Sequence, residues 1–121
     1  MFCTNIVALM DGIEQSRDSG TPPASLRGMV SYQDGSIVSR MLINKSSGTI
    51  TLFAFDKTEG LSEHSAPYDA FLIILEGEAE VTIEGTPYHI GEGQILTLPA
   101  HVPHGVKALT RFKMMLVMIH E

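Results

Sequence analysis

Residues 71–98 read FLIILEGEAEVTIEGTPYHIGEGQILTL, and the alternation inside this stretch decides the fold class. In AEVTI, Ala79, Val81 and Ile83 fall on one face of an extended chain, with Glu80 and Thr82 on the other. Glu84–Gly85 supplies the two residues of a tight hairpin turn, so Thr86–Ile90 is predicted to run back along Ala79–Ile83. Phe71–Leu75 contains no polar residue, which predicts a strand covered on both faces. Gln94–Leu98 follows the Gly91–Gly93 turn as a further short strand.

The same texture extends in both directions. Ile37–Ile43 and Thr49–Phe55 upstream, and Val106–Ile119 with a break near Thr110 downstream, are apolar or β-branched runs separated by turn residues. After residue 28 no segment has the periodicity of a substantial helix. Many short strands spaced by turns predict an all-β sandwich or barrel of two antiparallel sheets. The first 25 residues differ. Asn5–Met10 is a short apolar patch suited to one helical turn or an edge strand, and Asp11–Ser25, with Pro22–Pro23, reads as irregular chain. The expected organisation is an N-terminal arm over residues 1–26 and one β domain over residues 27–121.

With 121 residues there is room for one core and one modest pocket. Eight basic against fourteen acidic side chains give a net charge of −6, which argues against a nucleic-acid partner because such binding rests on phosphate neutralisation. An apolar fraction of 44% excludes a disordered chain. No apolar run approaches the roughly 18 residues of a membrane helix, so no membrane partner is expected. Cys3 is the single cysteine and has no internal disulfide partner, and no basic-then-apolar leader precedes it; a cytoplasmic location follows as the expectation. Alternation in the last segment puts Phe112, Met114, Leu116 and Met118 on one face and Met115, Val117 and Ile119 on the other. The plainer reading of these methionines is adaptable packing or a dimer seam, and the sharper one is an apolar wall to a ligand cavity.

Chemistry concentrates on histidine. His120, next to the end of the chain, is expected to be frayed or exposed, and His89, in TPYHI, to sit on an outer face or rim. His64 lies in EGLSEHSAPYD, where the bend at Pro67 lets Asp69 approach it. His101 and His104 lie in LPAHVPHG, a bend in which both rings can face one cavity. Imidazoles bind Zn, Fe, Ni or Cu, and a carboxylate can complete such a site. The alternative for each is a local turn or hydrogen-bonding role.

These segments carry a likeness. Over about Arg27–Glu121, and most densely in residues 59–85, EGLSEHSAPYDAFLIILEGEAEVTIEG, and residues 90–106, IGEGQILTLPAHVPHGV, the chain resembles the cupin superfamily in its small, single-domain, RmlC-like conserved-barrel form. In the second family segment Gly93, Pro99 and His104 stand at the family spacing, His101 replaces the usual glycine, and Ala108 holds the terminal asparagine slot. In the first, His64 fits the second histidine and Ser62 occupies the slot of the first. The acidic slot falls on Ala70 counting back from Gly77, or on Asp69 counting forward from His64. A one-residue difference along a strand turns the side chain to the opposite face.

The resemblance implies a cupin-type β-barrel, or jelly roll, with a divalent metal ion (Fe, Mn, Ni or Zn) held by His64 and His104. His101, ahead of Asp69, would be the next protein donor. Such an ion with an open coordination position can polarise an oxygen-bearing substrate or hold O2. The function implied is that of a cupin acting on a small oxygen-containing or aromatic molecule, as an oxygenase or isomerase. The alternatives are a metal-free small-ligand binder or sensor, and a structural dimeric domain. A homodimer is expected in each case, since exposed strand edges and the Asn5–Met10 patch gain from cover by a partner chain. Gly91-x-Gly93 precedes a strand rather than a helix and so carries no dinucleotide fingerprint; no G-x-S-x-G elbow is present, and Glu76, Glu78 and Glu80 read as a solvated hairpin flank.

Overall fold

In the computed structural model, which describes residues 6–8 and 22–120, the alternating stretch forms the hairpin its sequence predicts. Strands β6 (Glu78–Ile83) and β7 (Thr86–Gly91) pair antiparallel with Ile83 opposite Thr86. Glu84 and Gly85 join them with φ of 50° and 82°, the two positive values that a tight hairpin turn needs to match the twist of its strands.

Eight further strands complete the described residues: β1 (Ile6–Ala8), β2 (Ile37–Lys45), β3 (Gly48–Phe55), β4 (Gly60–His64), β5 (Asp69–Glu76), β8 (Ile95–Leu98), β9 (His104–Ala108) and β10 (Phe112–Ile119). They form one sheet in the order β1-β2-β3-β10-β5-β8 and a second in the order β4-β9-β6-β7. All pairings are antiparallel except that of β1 with β2. A short 3-10 turn over Leu26–Met29 is the longest helical element among the described residues. The architecture is therefore all-β, two sheets closed into a jelly-roll barrel. Within the Asn5–Met10 patch, Ile6–Ala8 is an edge strand; Cys3 and the irregular stretch up to residue 21 lie outside the described residues.

The core lies between the sheets. Inward residues Phe53, Phe55, Leu72, Ile74, Val81, Val106, Phe112 and Met114 make one buried cluster, in which Phe55 and Phe112 stack with ring centroids 4.4 Å apart. Burying an aromatic or branched aliphatic side chain of this kind is worth about 1.5–3 kcal/mol each before chain entropy is set against it. A second cluster covers the outer face of the larger sheet, where Val30 packs on Val38, Leu52 and Ala54. Its strap is tied down by polar contacts: the Tyr32 hydroxyl donates to Glu76 at 2.5 Å, and Arg40 donates to the Met29 carbonyl at 2.9 Å. Arg111 and Lys113 lie 5.1 and 5.0 Å from the centre of the Tyr32 ring, within cation–π range.

Candidate functional site

His64 and His104 are directly opposite one another on β4 and β9. Strict alternation would put Leu61 and His64 on opposite faces, because they are three positions apart. A register shift between them removes the conflict, as a β-bulge does, and both turn inward: Leu61 into the core and His64 into a cavity. On β9 no such device is needed, since His104, Val106 and Ala108 share the inward face.

The two imidazole centroids are 4.7 Å apart in an edge-to-face arrangement at 63°. Nδ1 of His64 lies 2.9 Å from the Ser62 carbonyl, and Nδ1 of His104 lies 3.1 Å from the Val102 carbonyl. A carbonyl only accepts, so in both rings Nδ1 carries a proton, and Nε2 is the nitrogen that a neutral ring presents to a ligand. This is the tautomer in which an imidazole ligates a metal through Nε2 while its other nitrogen fixes the ring. Burial is the main reason the His104 imidazole sits below its usual range; the neighbouring His64 lowers it further, while the Val102 carbonyl and Glu63 act the other way. A neutral ring, ready to donate a lone pair, is the result.

The cavity around the pair is about 340 Å³, large enough for one small ring or chelate with its substituents. Its walls include Tyr68, Ala70, Leu98, Leu116 and Met118. Along the inward face of the methionine-bearing strand, Met114 packs in the core and Met118 lines the cavity.

The remaining sequence candidates fall elsewhere. Ala70, not Asp69, faces the cavity. Asp69 lies on the opposite face of β5, where its Oδ1 accepts the Ala100 N–H at 2.8 Å and the residue borders an outer hollow with Phe71, Val117 and Ile119. His101 is exposed, with φ of 68°; it fills a glycine slot by adopting a glycine-like conformation, and its N–H donates to the Ala66 carbonyl at 2.7 Å. The structure thus brings His64 and His104 together and leaves His101 and Asp69 out of the cavity lining. Among the described residues no group of three or more His, Cys, Asp or Glu side chains is arranged to hold a metal ion. His89 is exposed and reaches Glu78 at 3.2 Å.

His120 departs from its expectation. Instead of fraying, it is half-buried: its N–H donates to the Ser47 carbonyl at 2.8 Å and its ring stacks on Tyr68, centroid to centroid 3.9 Å at 26°. The signal was present in the sequence, since the inward period of Met114, Leu116 and Met118 continues to His120. Tyr68 gives no such signal before the register of β5 is known.

Comparison with known proteins agrees with the fold. A cupin-domain family model matches residues 51–120. A conserved protein of unknown function from Streptococcus pyogenes has a structure similar to this chain with a TM-score of 0.81, at 34% identity over 85% of this chain and 90% of that one. A cupin superfamily protein from Desulfitobacterium hafniense gives 0.80 at 27% identity, covering 83% of this chain and 92% of that one. A Cupin 2 conserved barrel domain protein from Leptotrichia buccalis gives 0.75 at 37% identity over 77% of this chain, which spans 45% of that longer one. No curated protein sequence matches the chain. Among the described residues no helix is long and apolar enough to cross a membrane.

Proposed function

This chain belongs to the cupin domain family, and from that premise we propose that its cup binds a divalent metal ion through Nε2 of His64 and His104 and acts on a small oxygen-containing or aromatic molecule bound beside it. The observation that carries this reading is the cross-strand imidazole pair with both Nδ1 protons committed to backbone carbonyls. Two imidazoles presenting Nε2 fit an ion such as Fe, Mn, Ni or Zn as part of its coordination, the remainder coming from water or the bound molecule. When bound, the ion would supply Lewis-acid polarisation of a ligand oxygen. The protein's own part is to hold the two rings at fixed orientation, to keep His104 neutral by burial, and to exclude bulk water with Leu98, Leu116 and Met118.

A metal-free ligand-binding cup is the second reading, and the observation in its favour is that no third His, Cys, Asp or Glu joins the pair among the described residues. Metal analysis of protein purified without a histidine tag or chelator separates the two. The metal reading expects retained Fe, Mn, Ni or Zn, lost in His104→Ala with the fold intact by circular dichroism. No retained metal, and no uptake on incubation with those ions, would leave the metal-free cup. A homodimer in a cytoplasmic setting completes the proposal; its support is the apolar surface at Ile95 and Ile119, 57% and 52% exposed, on strands of the larger sheet. Sedimentation equilibrium at the monomer mass would oppose it.

A further inference from the structure

We propose that the Tyr68–His120 stack is an aromatic platform that selects planar, π-bearing ligands for the cup, with His120 as the positioning residue behind Tyr68. The inference rests on the reading of this cavity as a ligand site and is independent of whether metal occupies it.

Strand register builds the platform. Met118 pairs with Ala70 and Ile119 with Asp69, so the next step sets His120 beside Tyr68. Both are on the inward parity, two residues beyond Met118 and two before Ala70, each of which lines the cavity. Tyr68 also lines the cavity, while His120 lies against the Tyr68 ring at 3.9 Å. The imidazole thus covers one face of the phenol ring of a residue that lines the cavity. His64 and His104 add two more rings, Met118 adds a polarizable thioether, and no Asp, Glu, Lys or Arg lines the cavity among the described residues. Aromatic faces and aliphatic walls without a fixed charge favour a neutral planar ring over an aliphatic or anionic ligand.

His120 is an expensive residue to place there for packing alone. Its Nε2 is buried and has no hydrogen-bond partner among the described residues, a cost that phenylalanine or leucine at the same position would avoid. Stacking fixes the rotation of the Tyr68 ring, and an oriented ring loses less freedom when a ligand packs on it.

Phenol and cyclohexanol test the proposal, because they carry the same hydroxyl on six-membered rings that differ in planarity and π character. Each is titrated into the metal-free full chain and followed by amide chemical shifts. Phenol should bind roughly two- to tenfold more tightly, the preference that aromatic pairing confers beyond burial. Tyr68→Leu should bring the ratio to about one, His120→Leu should reduce it, and His120→Phe, which keeps a ring on Tyr68, should restore it. Equal affinities in the unmodified protein, absence of binding by both alcohols, or a ratio unmoved by Tyr68→Leu overturns the platform. A His120→Leu protein that is less stable but keeps the ratio reduces His120 to packing and overturns its positioning role. If Tyr68→Leu fails to fold, the ratio in the unmodified protein and the two His120 variants still decide. Visible absorption of added Co2+ reports on His64 and His104 separately, so loss of the platform and loss of the metal reading are told apart.

Discussion

Replacing Gly77 by alanine should be far more damaging than the same change at Gly85, although both glycines have nearly the same backbone conformation. Gly77 joins β5 to β6 with φ of 83°, and Gly85 lies in the β6–β7 turn with φ of 82°. An L side chain in this left-handed region costs about 1–2 kcal/mol at either place. Space separates them. A Cβ on Gly85 meets nothing within 4 Å, whereas one on Gly77 would lie 2.1 Å from the Arg111 carbonyl oxygen and 2.8 Å from the Phe112 Cα. Both obstacles are backbone, so relief requires the start of β10 to move away, and Phe112 begins that strand, fully buried and stacked on Phe55. Losing half or more of that side chain's burial adds about 1–3 kcal/mol. The expected totals are about 1–2 kcal/mol for Gly85→Ala and about 2–5 kcal/mol for Gly77→Ala, the latter a large share of the ~5–15 kcal/mol that holds an ordinary domain together. Equilibrium urea unfolding followed by circular dichroism measures both, with the slope expected to stay constant and only the midpoint to move. Equal midpoints for the two variants would refute the reasoning, because the close approach would then carry no cost.

Ala70→Glu should create a third donor beside His64 and His104: the variant should be less stable than the parent without metal, through a carboxylate placed in an apolar cup, and should gain more in melting temperature on addition of Zn2+ or Co2+. Asp69→Asn should leave that metal response unchanged, since Asp69 accepts the Ala100 N–H on the other face of β5; a lost response would place it in the site after all. Stability should vary with pH in two separate windows. His104 has a lowered pKa when folded, so the unfolded chain takes up its proton first: this contribution is complete above pH 6.5 and is lost as pH falls from there toward the folded value. Asp56 is held at about 2 by Arg111 first and then by the Gly35 and Lys57 N–H groups, so its contribution is present above pH 3.8 and is lost as pH falls to about 2. Arg111→Met should flatten the acid window in urea titrations and leave the one near neutrality; a change confined to neutral pH would contradict the assignment.

The fold was legible because its determinants are local. AEVTI alternates and Glu84–Gly85 is a two-residue turn; Phe71–Leu75 is a strand as expected but is not covered equally on both faces, since Leu72 and Ile74 are buried in the core while Phe71 borders an outer hollow and Leu75 is half-buried in the second cluster. What could not be read locally was any feature set by a bulge or by pairing with a distant strand. Strict alternation applied to Leu61 and His64 would have sent one of them into solvent; the bulge that reconciles them depends on β9, more than forty residues away. The two counts for the acidic slot differ by one residue, and only the pairing of β5 with β10, which sets Ala70 opposite Met118, shows that Ala70 and not Asp69 lines the cavity.

That one-residue ambiguity also explains why His64 and His104 are surrounded by more candidates than the cavity admits. Beside β10, strand β5 sorts its neighbours largely by parity. Ala70, with Tyr68 before it and Met118 opposite, lines the cup, while Asp69, Phe71, Val117 and Ile119 line only the outer hollow, whose edge Ala70 also reaches. A carboxylate at position 69 is therefore used to hold the bend at Ala100, and the inward position next to it carries only a methyl group. His101 is diverted in the same way, its backbone spent on the turn that leads into β9. With both extra donors committed to shaping the loop between β8 and β9, His64 and His104 are the two residues of the original candidate set that line the cavity.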